Sequence, residues 1–370
     1  MSKTIKKIEG GDECVGCGAC VNICPVKCIE MRMNGEGFSY PYIDEERCIN
    51  CGKCYKVCPT VKVQKLKKKP KILAMINKSF TIREKSSSGG VFYELAKNVI
   101  MSGGVVCAAA FDDEMMVRHI FINAVADIEK CMRSKYVQSN LEDSFQTVRK
   151  LLKEGRTVLF VGTPCQTYAL AVWLEQEWEN LYLIDLICHG VPSPGIWKEY
   201  VNSRKKAEAN ISDISFRDMS IQGWKNFGMK IVYSNAVVET DTQDKNIFMQ
   251  GFLNGYFNRK CCYSCKFKGL NRKSDITLGD FWAVDKYLEH FNDNRGTSLV
   301  FVNTEKGKIL IKRIQNQFFI RKVIQKAAEQ INSAYYGSSL SMKNRNLFFR
   351  KYRKERKMDN IMELEMRKRR

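Results

Sequence analysis

The chain has 370 residues, 44% hydrophobic and 27% charged, with a formal net charge of +21. That is the composition of an ordinary soluble globular protein long enough for two domains. No apolar run approaches the roughly 20 residues that span a bilayer, and the start MSKTIKKIEGGDEC has no apolar signal region, so the expectation is a cytoplasmic protein in which sixteen cysteines serve metal ligation or thiol chemistry rather than disulfides.

In chain order, the first feature is an internal repeat. CVGCGACVNICP (14–25) returns as CINCGKCYKVCP (48–59). Each copy has the spacing C-x2-C-x2-C-x3-C-P, in which three loop cysteines face one cubane and the fourth crosses to the other. The expected ligand sets are Cys14, Cys17, Cys20 and Cys58 for one 4Fe-4S cluster, and Cys48, Cys51, Cys54 and Cys24 for the second. Zinc is the alternative, but zinc sites use two CxxC pairs, and here each loop carries a third cysteine. Cys28 falls outside the pattern and reads as a buried structural thiol. Residues 1–64 therefore read as an electron-transfer module.

KLKKKPK (65–71) follows as a basic linker, and short apolar strands then alternate with helical patterns. KILAMI, GGVVCAAAF, VRHIFINA, TVLFVG and LYLIDLI read as strands, with helices after Gly90, near 142–153 and near 165–175. Residues 211–240 look antiparallel. The expected architecture is an α+β ferredoxin-like domain followed by a larger α/β domain, residues 72–345, with a mixed, largely parallel sheet. Residues 346–370 form a basic tail, expected as a solvated helix. Its charge suits an acidic electron-carrier protein; nucleic acid is the least favoured partner.

Three stretches of the larger domain hold candidate chemistry. EKSSSGGVFYELA (84–96) puts a Ser/Gly run before a helix, where backbone N–H groups favour phosphate, though a plain Ser87 or Ser88 cap fits equally. TVLFVGTPCQTYAL (157–170) is strand, turn, helix, with Cys165 in a first turn where a thiolate is stabilised. LYLIDLICHGVPSP (181–194) repeats the arrangement with Cys188 and His189. If these two strands are parallel neighbours, Cys165 and Cys188 end at one sheet edge. His189 reads as a hydrogen-bonding turn residue. Neither a P-loop nor G-x-G-x-x-G is present.

SSSGGVFYELA, SKYVQS (134–139), VGTPCQ (161–166), CHGVPSP (188–194), FRDMSIQGWKNF (216–227), CCYSC (261–265) and SDITLGDFW (274–282) occur in this order. Together they resemble the coenzyme F-420 hydrogenase/dehydrogenase beta-subunit family with a fused N-terminal ferredoxin domain. The resemblance implies a flavin-binding larger domain that holds FAD beside an iron–sulfur cluster, exchanging electrons or hydride with a deazaflavin or another small organic substrate. Carried over by motif, Ser88, Gly89, Gly90, Lys135, Tyr136, Thr163 and Gln166 contact FAD, and Asp280 lies near it. Arg133 and Ala283 stand where the family usually has glycine. The alternative is an electron-transfer subunit serving a partner enzyme.

Cys262 and Cys265 form a CxxC with no second pair nearby for a zinc ribbon. A redox disulfide remains open. The other reading joins them to Cys165 and Cys188 as ligands of a third 4Fe-4S cluster, which the resemblance supports. Cys261 is then spare, and Cys107 and Cys131 are buried thiols.

Overall fold

A computed structural model describes residues 11–61, 63–66, 69–324, 332–338, 340–355 and 357–367. Lys67 and Lys68 of the linker and the last three tail residues lie outside them. In the N-terminal domain, β1 (Ile29–Met33) and β2 (Ser39–Ile43) form an antiparallel hairpin between the helices Ala19–Ile23 and Lys53–Lys56. Both helices start from a glycine with left-handed backbone, Gly18 at φ 69° and Gly52 at φ 71°. That conformation suits glycine, and it turns the third cysteine of each loop onto its helix.

The larger domain contributes β3 (Lys71–Asn77), β4 (Val105–Phe111), β5 (Val117–Ile122), β6 (Val158–Gly162), β7 (Leu181–Leu186), β8 (Ile211–Asp218), β9 (Gly228–Tyr233), β10 (Val238–Thr242), β11 (Ile276–Asp280), β12 (Ser298–Val302) and β13 (Phe318–Lys322). Eight of these form one sheet in the order β13-β3-β12-β11-β7-β6-β4-β5, and β10-β9-β8 form a second, antiparallel sheet. Only the centre of the large sheet is parallel: β4 with β6, β6 with β7, and β7 with β11. Both flanks are antiparallel, so the sheet is mixed rather than largely parallel. A tight turn at 112–116 returns β4 into β5, and β12 follows β11 without a helix crossing the sheet. Strands β6 and β7 are buried almost throughout, as a central parallel pair covered on both faces must be.

A fully buried ion pair, Arg272 Nη1 to Asp185 Oδ2 at 2.9 Å, ties β7 to the segment before β11, and Thr277 donates to the same carboxylate. Breaking such a pair from one side costs about 3–5 kcal/mol.

The C-terminal segment is not a solvated tail. Helices Met342–Glu355 and Met358–Arg367 bury Phe348, Phe349, Tyr352, Met358, Ile361 and Met362 against Trp197, Phe248 and Phe257. Their Lys and Arg heads face outward, and the apolar stripe joins the core. The N-terminal domain is seated on the same body. Phe38 belongs to that core cluster, and Gly37 approaches so near Gly195 that a Cβ at Gly37 would lie 2.6 Å from the Gly195 Cα. Ser193 Oγ donates to Glu36 O at 2.6 Å, and buried Arg345 pairs with the Glu36 carboxylate. The linker is pinned as well: Leu66 N donates to Leu270 O and Gln64 N to the Tyr168 hydroxyl.

Candidate metal centres and cofactor pocket

Cys14, Cys17, Cys20 and Cys58 line one cavity of about 330 Å³. Cys24, Cys48, Cys51 and Cys54 line another of about 330 Å³. Each set thus takes three cysteines from one repeat and the fourth from the other, and its donors are all thiols, the type that iron–sulfur clusters take. Among the described residues no group of three or more His, Cys, Asp or Glu side chains could hold a single metal ion. Burial pushes the thiols of Cys17, Cys20 and Cys58 above their usual range. Loading metal there displaces protons. Cys28, itself buried, lines the second cavity, with its sulfur 3.5 Å from that of Cys24.

Strands β6 and β7 are parallel neighbours, so the turns after them share one edge. The segment 259–265 folds over that edge. Cys165, Cys188, Cys262 and Cys265 line a single cavity of about 660 Å³, and Cys261, expected as a bystander, lines it too. Cys165 follows a capping box formed by Thr163 and Gln166. Its thiol is nonetheless pushed up, by burial and then by Cys265. The first-turn position does not stabilise a thiolate here, because desolvation outweighs the helix end. Cys188 is raised to about 11, chiefly by burial, with Lys268 opposing. His189 Nε2 bonds with Leu253 O at 3.1 Å and its ring sits edge-on to Phe252, a structural role.

A third, larger pocket of about 1380 Å³ opens at the carboxyl ends of β6, β7 and β11, where ligands gather in open α/β sheets. Ser88, Gly90, Lys135, Tyr136, Thr163, Gln166 and Asp280 all line it. Gly89 does not. Its N–H donates to Ser298 Oγ at 2.9 Å and a Cβ there would lie 2.2 Å from Met75 O, so Gly89 lets the turn lie against the sheet. The helix Val91–Met101 starts at Gly90 with no side-chain cap. Ser87 Oγ instead accepts from Ser134 N, and Ser88 Oγ is buried with no partner. A helix start and an orphaned hydroxyl in one wall suit a phosphate group. Lys135 donates to Met132 O at 2.6 Å, and burial lowers its pKa to about 8.

The two departures from the family pattern are accommodated differently. Arg133 takes the left-handed backbone that glycine would supply, at φ 67°, and both guanidinium arms grip Asp213 at 2.7 Å. Ala283 sits at φ −96°, which any residue adopts.

Sequence reasoning missed Arg217. It is buried between Phe227 and Trp282, pairs with Asp280 Oδ2 at 2.5 Å, and has Nε and Nη2 buried without partners. A charged residue inside the strand pattern ISFRD was the available signal. Trp224 Nε1 also donates to Asp280.

Residues 155–325 match the family described as the C terminus of the coenzyme F420 hydrogenase/dehydrogenase beta subunit. Residues 13–61 and 40–89 each match a 4Fe-4S dicluster domain. No curated protein matches the chain. Among solved structures, the fold is similar to a chain of the F420-reducing [NiFe] hydrogenase complex from Methanosarcina barkeri, with a TM-score of 0.50, at 14% identity, over 80% of this chain and 94% of that one. No helix among the described residues is long and apolar enough to cross a membrane. The chain therefore carries a 4Fe-4S dicluster domain at its N-terminus, and its larger domain belongs to the coenzyme F420 hydrogenase/dehydrogenase beta-subunit family.

Proposed function

We propose that this chain is a cytoplasmic iron–sulfur flavoprotein oxidoreductase that passes electrons between its 4Fe-4S clusters and FAD, and exchanges hydride or electrons with a deazaflavin-type or other small organic substrate. One observation carries the reading. The cavities follow one another: the first cluster cavity and the 660 Å³ thiol cavity share Val15 and Thr60, and that thiol cavity shares Cys188, His189, Gly190 and Val191 with the large pocket. Such contiguity is what stepwise electron transfer needs.

FAD, when bound, supplies the junction between two-electron and one-electron chemistry. The Ser88 hydroxyl and the free amides at the Val91 helix start take the pyrophosphate, with Lys135 as its counter-charge. The unpartnered Arg217 donors face the polar edge of the ring system, held in place by Asp280. Cys165, Cys188, Cys262 and Cys265 hold a third 4Fe-4S cluster between pocket and ferredoxin domain. Electrons reach the outer repeat from an acidic carrier. Ile49 is 62% exposed there, and Lys27, Arg47, Lys53 and Lys56 surround it, all exposed, with Glu45 and Glu46 as the opposing charges.

Anaerobic purification with iron, sulfide and flavin quantified per chain tests the reading. About twelve irons and one FAD are expected, and Cys265→Ala should remove about four irons. A chain that binds no flavin overturns the enzyme reading. The second reading is a subunit that only relays electrons to a partner enzyme, as the complex containing the similar fold suggests. It predicts flavin and clusters without substrate turnover by the isolated chain.

A further inference from the structure

Arg259 lies just before CCYSC, yet its side chain reaches the other end of the protein. The residue is 1% exposed. Nε donates to Cys14 O at 2.7 Å, Nη1 to Gln138 Oε1 at 3.0 Å, and Nη2 to Ser39 O at 3.0 Å and to Cys14 Sγ at 3.6 Å. The guanidinium also lies over the Tyr40 ring, 4.2 Å from its centroid. None of these partners is a carboxylate. A buried positive charge must meet a negative one, and the nearest acceptor of that kind is the Cys14 sulfur.

The loop makes room for it. A Cβ on Gly16 would lie 2.5 Å from Gln138 Nε2 and 2.7 Å from Arg259 Nη1. Gln138 Nε2 in turn holds Val15 O at 3.1 Å. The second repeat has Asn50 in place of Gly16, and Cys48 meets only the Asn50 side chain, at 4.0 Å. Hydrogen bonds to cluster sulfurs, nearby charge and solvent exposure set the reduction potential of a 4Fe-4S centre. Reduction adds one electron and one negative charge, which an adjacent guanidinium stabilises.

We propose that Arg259 is a positioning residue that raises the reduction potential of the Cys14/Cys17/Cys20/Cys58 cluster above that of its twin, so that electrons arriving at the exposed repeat move inward. The proposal rests on the ligand sets given above. At the same time the backbone N–H of Cys262 donates to Arg259 O at 2.9 Å, so the same residue fixes the start of the third thiol set.

The test is an EPR-monitored redox titration of the full-length, iron-replete protein. Cys14→Ser identifies the signal of the inner cluster; if it changes no signal, the ligand assignment fails, which is a different failure from that of the Arg259 proposal. Arg259→Gln should shift the reduction equilibrium of that one cluster at least tenfold toward the oxidised form, about 59 mV for one electron, leaving the other midpoints unchanged. Arg259→Lys should fall between wild type and Arg259→Gln, because it keeps the charge and loses the two-armed grip. If Arg259→Gln loads less iron, Arg259→Lys carries the test. Wild-type potentials in an iron-replete variant overturn the proposal.

Discussion

The two cysteine repeats share one spacing and sit in opposite surroundings. In the first, Cys14, Cys17 and Cys20 are buried and the loop backbone is gripped by Arg259 and Gln138 from the larger domain. In the second, Cys51 is exposed and Ile49 projects beside it. Ligand number and order come from the repeat itself. What differs is imported from residues far along the chain, so a local duplication yields two equivalent binding loops and tertiary packing makes one an inner site and the other an outer one.

The most direct way to break this comparison is to remove one ligand from each side. Cys58→Ala and Cys51→Ala should each lose about four irons per chain, read by iron analysis. Only Cys58→Ala should also quench transfer from a surviving outer cluster to the flavin, read by the rate of flavin reduction after rapid mixing with reductant. The next effect is on stability. Gly16→Ala combines a left-handed backbone at φ +68° with two close contacts and should cost about 2–4 kcal/mol. Gly103→Ala has φ +78° with nothing near its Cβ and should cost about 1–2 kcal/mol. Denaturant unfolding measures both. A smaller effect should follow from Ile49→Asp: iron content unchanged, and KM for an acidic electron carrier raised about tenfold, equivalent to about 1.4 kcal/mol. The weakest concerns pH. Lys135 is charged below its pKa of about 8 and neutral above, so FAD affinity should fall as pH rises through 8, and Lys135→Met should flatten the profile in a fluorescence titration.

Much of this was legible from local spacing. The eight repeat cysteines could be paired because their ligand geometry is written within a dozen residues. The third thiol set could be named only by assuming that the strands before Cys165 and Cys188 are neighbours, since spacing says nothing about a cavity assembled from three segments. Cys261 and Arg217 show the limit: both face cavities for reasons of packing alone. Gly89 was named through a motif, and its place is against β3 and β12 rather than against ligand. The C-terminal helices were obscured by their charge. Lys and Arg outnumber apolar residues there, but Phe348, Phe349, Tyr352, Ile361 and Met362 fall at helical spacing and meet a core contributed by Phe38, Trp197 and Phe257, a match invisible from either segment alone. The antiparallel flanks were hidden because β12 turns back beside β11 without the crossover helix that a parallel strand needs.

The reach of Arg259 also has a consequence in time. It binds Cys14 across a separation of 245 residues, and a ribosome adding about 5–20 residues per second needs roughly 12–50 seconds to cover them. During that interval the cysteine loops are complete and their cover is not. A cluster inserted early is open to oxygen on the face that will later be most protected, and one inserted late must enter past a closed guanidinium. The biogenesis of this protein is therefore expected to depend on the order of translation and metal delivery, and most sharply at the inner site.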